Sequence, residues 1–170
     1  MKTKILLAIL ISLGTFNLLT SQTKNQNLNI QLQLLRKFFL QKNYEEFANF
    51  IYPEVIKISG GKAKMIQMTK SSIAKMENDG FYFSDLKFKD PSNFIKRNNE
   101  TQFTITQEII MKTPKGKMLA EYTMIGISVD NGKNWKFIDT SGKSKEMMIK
   151  YFPNLSKDLI IKPKTQKFIK

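Results

Sequence analysis

At Gly80 the hydrophobic period of this chain changes from helical to alternating. Upstream, Leu28, Leu32, Leu35 and Phe39 recur on one helix face, with Gln31, Gln33, Arg36 and Lys37 between them. That spacing predicts an amphipathic helix over Leu28–Leu40. Tyr44, Phe47, Ala48 and Ile51 form a second stripe, which Pro53 ends. Val55–Ile58 then reads as a short strand. Ser59–Gly60–Gly61 opens a third helix over Lys62–Asn78, with Ile66, Thr69, Ile73 and Met76 on its buried face and Met65 and Met68 beside it. Asn78–Asp79–Gly80 closes that helix, as a glycine past the last turn commonly does.

Downstream of Gly80 the period is two. Phe81–Lys89 is a strand candidate stopped by Asp90–Pro91, and a short piece at Phe94–Lys96 turns at Asn98–Asn99. Thr101–Lys112 is a long strand that places Phe103, Ile105, Gln107, Ile109 and Met111 on one face. The turn Thr113–Gly116 leads into Met118–Val129, and Asp130–Asn131–Gly132 turns into Trp135–Asp139. Ser144–Phe152 reads as a terminal helix. From Pro153 a lysine-rich tail follows, anchored by Leu159–Ile161. Helices first and strands later predict an α+β fold, with three N-terminal helices packed on a curved antiparallel sheet.

The first two dozen residues stand outside this pattern. Lys2 and Lys4 precede the uncharged apolar stretch Ile5–Leu19, after which Thr20, Ser21 and Gln22 turn polar. This is the layout of a cleaved secretory signal, and the stretch is short for a membrane span of ~20 residues. Cleavage is expected between Ser21 and Gln22. That leaves one domain over residues 22–152 and a basic tail over 153–170, exported to the periplasm or beyond the cell. No cysteine follows the signal, so a lipoprotein anchor is excluded. The richness in Lys, Asn and Ile resembles an AT-rich bacterial genome.

What the chain lacks narrows its chemistry. Without cysteine there are no disulfides, so the domain must hold itself by its own core. It has no histidine either, which removes the usual general base near neutral pH and the commonest metal ligand. Thiol catalysis, Ser-His-Asp arrangements and thiolate metal sites are therefore out of reach. No metal and no cofactor is expected. The net charge is +14, and only Arg36 and Arg97 are arginine. Base and phosphate recognition favours the two-pronged arginine fork, so nucleic acid is not an expected partner. Dispersed lysine suits solubility and weak attraction to an anionic envelope.

Three local motifs have bland explanations. Ser128-Val129-Asp130-Asn131-Gly132-Lys133-Asn134-Trp135 fits the S-x-D-x-G-x-x-W hairpin of sialidase propellers, but it occurs once where a propeller needs several copies. It is read as a structural turn. Gly142-Lys143-Ser144 ends like a phosphate loop, yet Phe137 stands where that loop needs glycine. Ser59–Lys62 could offer free amides to an anion; a plain helix entrance is the simpler reading. The sequons at Asn99 and Asn154 carry no weight in a chain this rich in asparagine.

The order of elements, together with Tyr52-Pro53-Glu54-Val55 and Ser59-Gly60-Gly61-Lys62-Ala63-Lys64-Met65, resembles exported bacterial members of the nuclear transport factor two-like superfamily. The resemblance spans roughly residues 27–140, in the order of elements. It implies a cystatin-like cone whose concave sheet face lines a pocket, and homodimerisation through the convex face. Ketosteroid isomerases and polyketide cyclases share that fold, but none of their catalytic motifs lies on these residues. Fold does not carry function by itself.

In a cone, polar residues on apolar strand faces become the fixtures of a ligand site. Gln107 interrupts the Phe103–Met111 face, and Asp139 shares its face with Trp135 and Phe137. Tyr122 lies among Met118, Ala120 and Met124, while Asp85 shares a side with Phe81 and Phe83. The candidate pocket is therefore Phe103, Gln107, Tyr122, Trp135 and Asp139. The leading reading is a non-catalytic exported module that binds an apolar or amphipathic small molecule, because no carboxylate pair stands out. One alternative is an isomerase- or cyclase-type enzyme in which Asp139 or Asp85 takes a proton and Tyr122 steadies the oxyanion. The other is a basic protein that binds anionic envelope polymers through its lysines.

Overall fold

The computed structural model describes residues 26–170. The expected signal segment and its cleavage point lie outside these residues. Among the described residues no helix is long and apolar enough to cross a membrane.

The helical half follows its apolar stripes. Helix α1 (residues 26–40) buries Leu28, Leu32 and Leu35, the spacing read from sequence. Helix α2 (Tyr44–Ala48) starts at Asn43, whose side chain accepts from Glu46 N, and it buries Tyr44 and Ala48. The segment expected to be a strand is instead helix α3 (Pro53–Ile58). Proline commonly ends a helix, as expected above for Pro53, but here it stands in the first turn, where a missing N–H costs no hydrogen bond. The extended pairing lies just before it: Phe137 N donates to Phe50 O at 2.7 Å and Tyr52 N donates to Phe137 O at 3.0 Å. Gly60 and Gly61, with φ of 85° and 100°, then redirect the chain into helix α4 (Lys62–Asn78). Four described helices precede the sheet, where three helices and a strand were expected.

The strands are β1 (Tyr82–Phe88), β2 (Ile95–Arg97), β3 (Glu100–Thr113), β4 (Gly116–Ser128), β5 (Lys136–Asp139) and β6 (Thr165–Ile169). They form one curved antiparallel sheet in the order β1-β3-β4-β5, so the fold is α+β. The long β3–β4 hairpin pairs without interruption from Thr101↔Ser128 to Thr113↔Gly116. β5 and β6 share the far side of β4, β5 against Met124–Ile127 and β6 against Lys117–Glu121.

The sheet carries a core on each face. Towards α1, Phe103, Ile105, Met124, Trp135 and Phe137 pack with Leu28, Leu32 and Leu35. On the other face, Ile125, Ile127 and Ile138 meet helix α5 (Lys145–Tyr151) and the segment after it, through Met148, Phe152, Leu155 and Leu159. The stretch from Pro153 onward thus does more than hang on Leu159–Ile161. It buries Leu155, ties Gln102 to Ser156 N and Asn154 O, and adds β6 to the sheet.

Candidate functional site

Gln107 and Asp139 each break an apolar strand face, and the structure joins them. Gln107 Nε2 donates to Asp139 Oδ2 at 2.7 Å, across the width of β4. The register explains how they meet. Gln107 pairs with Tyr122 on β4, and Met124, two residues on, pairs with Asp139 on β5, so all four positions share the face towards α1. The second carboxyl oxygen, Oδ1, accepts from Ser141 N at 2.6 Å. Ser141 has φ of 52° and Gly142 has φ of 76°, the left-handed pair that turns the chain sharply after β5 and brings that N–H back to the carboxyl.

This pair lines an apolar cavity of about 70 Å3 between the helices and the sheet. The volume is well above the ~10–15 Å3 that a single water needs. Helix α1 contributes Leu35 and Phe39, and the α2 region contributes Phe47 and Ile51. The sheet supplies Leu86, Ile109, Met124 and Phe137 around the two polar groups. Phe39 and Phe47 stand 5.6 Å apart between ring centroids, tilted by 48°.

Asp139 as a residue is exposed to solvent, yet the protein crowded around its carboxyl pushes it above the usual carboxylate range. The Ser141 N–H, the Gln107 amide and the charge of Lys143 pull the other way without winning. Asp139 faces the cavity on one side and solvent on the other, so the direction of the shift rests on the protein atoms packed around its carboxyl. Among the described residues no Lys or Arg nitrogen lies within salt-bridge distance of this carboxyl.

The other expected pocket residues lie elsewhere. Phe103 and Trp135 are fully buried and pack edge to face, with centroids 5.0 Å apart, and Phe94 stacks on Trp135. They belong to the core and do not line the cavity. Tyr122 pairs with β3 but has no strand partner on the far side of β4, where it falls between the end of β5 and the start of β6. It borders a separate groove of about 350 Å3 beside Lys89 and Glu121, with Lys164 Nζ 5.2 Å from its ring centroid.

Asp85 is displaced by one residue. β1 carries a bulge at Ser84, so Phe83 pairs with Met111 but Asp85 pairs with Ile110, on the opposite face from Phe83. β1 is an edge strand, and from α1 Arg36 Nη2 donates to Asp85 Oδ1 at 2.6 Å while Leu86 N donates to the same oxygen at 2.8 Å. Burial raises this carboxyl's pKa, but Arg36 and the Leu86 N–H outweigh it and hold it below the usual range. A carboxylate locked in this way is a tie between α1 and β1, not a base.

The cavity walls on α1 and α2 went unread as a site because their sequence signal is the stripe that any buried helix shows. The motif residues have structural roles. Asp130 accepts from Ser128 Oγ, Asn134 N and Asn134 Nδ2, and Gly132 N donates to Ser128 Oγ at 2.9 Å, closing the β4–β5 turn above Trp135. Ser144, the end of the Gly-Lys-Ser stretch, caps α5 by accepting from Met147 N. A scan against protein-family models finds no match for this chain, and neither does a comparison with curated proteins.

Proposed function

We propose that this chain is an exported module of the cone type whose cavity between α1, α2 and the sheet binds a small apolar or amphipathic molecule. The observation that carries the reading is the hydrogen-bonded Gln107–Asp139 pair set into walls that are otherwise apolar. A cavity of that composition, with a few convergent polar groups, is the usual form of a small-molecule site. An unpaired carboxyl there has a cost in stability that packing alone does not explain. Outside Val55–Ile58 the resemblance in order of elements supports the cone, and the polar fixtures sit on the sheet face towards α1.

Native mass spectrometry of the chain purified from its host's exported fraction tests this. The expected spectrum shows a chain that begins at Gln22 and carries a small adduct. The adduct should be missing from a folded Met124→Trp variant, whose indole fills the cavity. An adduct that survives in the variant would place the ligand elsewhere. An adduct-free chain that also fails to take up an apolar dye would overturn the reading.

A second reading, proton abstraction by Asp139, is favoured by the raised pKa of that carboxyl. It loses Tyr122 as the oxyanion donor, since Tyr122 does not line the cavity. In this reading Asp139→Asn abolishes turnover while ligand binding persists, and activity retained by the variant would sink it.

A further inference from the structure

The hydrogen bonds at Asp139 say which form of the carboxyl the site is built for. Both oxygens accept N–H bonds, one from the Gln107 amide at 2.7 Å and one from the Ser141 backbone at 2.6 Å. A neutral carboxylic acid has to place a proton on one of those oxygens and point it at an acceptor. Both donors instead suit a carboxylate, which only accepts. With the Gln107 amide turned this way the site presents a negative charge, and none of the described lysines or arginines lies within salt-bridge distance of it. The walls add a second preference. Phe39, Phe47 and Phe137 all line the same cavity, and aromatic faces attract a cation within about 6 Å of the ring centroid.

We infer that the ligand of this cavity is a small amphiphile with a cationic nitrogen, an ammonium seated against Asp139 among the three phenylalanine rings with its alkyl part along Ile109 and Met124. The inference rests on the cavity being a ligand site, as proposed above. The ammonium supplies the counter-charge that the protein withholds, and its N–H groups reach the lone pairs that Gln107 and Ser141 leave free. A carboxylate or phosphate ligand meets a like charge, and a plain alcohol gains only a neutral hydrogen bond.

Titration calorimetry on the full folded chain separates these cases with three probes of one branched skeleton: isopentylammonium, isopentanol and isovalerate. The expected order is ammonium first, alcohol weaker, carboxylate undetectable. Asp139→Asn should weaken the ammonium about 10-fold or more and leave the alcohol unchanged. With the unaltered chain, ammonium affinity should also fall on acidification as Asp139 takes up a proton. Lys143 is the charged group that bears on Asp139. This second measurement stands even where the variant fails to fold. Alcohol or carboxylate binding as tightly as the ammonium overturns the inference but keeps the cavity as a ligand site. Retained ammonium affinity in Asp139→Asn, or affinity that rises in acid, overturns it too. Failure of all three probes to bind removes the ligand site itself.

Discussion

At Asp139 the physical reading gives stability a direction. Folding raises this carboxyl's pKa above the 3.8 of an unperturbed aspartate. Between those two values the native state keeps a proton that the unfolded chain has released. The group then costs nothing below the unfolded pKa. The cost grows as pH rises to the folded pKa and stays constant above it. Asp139→Asn keeps the shape, and Gln107 can turn its amide to offer oxygen to the new NH2 group. The variant should melt higher than the parent at about pH 7 and alike at about pH 3. A lower Tm at neutral pH would mean that the carboxylate itself stabilises the fold. Gly126 makes a packing prediction: a Cβ there would lie 2.2 Å from Phe103 Cε1. That ring is fully buried and already packs edge to face against Phe94 and Trp135. Gly126→Ala should cost about 1–3 kcal/mol, read from denaturant midpoints.

At the scale of elements, the β4–β5 hairpin depends on side chains in its turn as well as on its strands. Burial works to raise the Asp130 pKa, but the Asn134, Ser128 and Lys133 donors hold it below the usual range. Its contribution is therefore complete above the unfolded pKa and is lost as pH falls through the lowered one. Asp130→Ala should destabilise by about 1–3 kcal/mol near neutral pH, with a smaller difference in acid. The hairpin also holds α1, since Gln31 accepts from Trp135 N at 2.8 Å and donates to Lys133 O at 2.9 Å. Amide exchange in the same variant should accordingly speed up at the start of α1. Unchanged exchange there would show that helix packing alone seats α1.

For the whole molecule, the segment from Pro153 onward decides whether the sheet stands. Leu155 and Leu159 are 2% and 1% exposed beneath Ile125, Ile127 and Ile138. Removal of a buried leucine side chain typically costs about 2–5 kcal/mol, against a total of about 5–15 kcal/mol for a domain. Deletion of residues 153–170 should therefore leave a chain that does not melt cooperatively. Deletion of residues 165–170 alone should lower Tm by only a few degrees, because β6 is almost wholly exposed and adds an edge without a core. Equal damage from both deletions would show that β6 pairing matters as much as the buried leucines.

The sequence by itself determined the order and type of most elements, because hydrophobic period is a local property. The change at Gly80 places helices before strands, the Thr113–Gly116 turn makes the long hairpin, and the faces of β3 and β5 expose Gln107 and Asp139 as polar interruptions. Only the tertiary structure decided what those interruptions do. A bulge at Ser84 sends Asp85 to the other face, and a one-residue shift of that kind leaves no mark in an alternating pattern. Proline begins a helix as readily as it ends one, so Pro53 alone could not settle the fate of Val55–Ile58. The cavity itself is made where α1, α2 and four strands meet, by residues up to about a hundred positions apart. Its chemistry depends on distance and burial, which no local pattern carries.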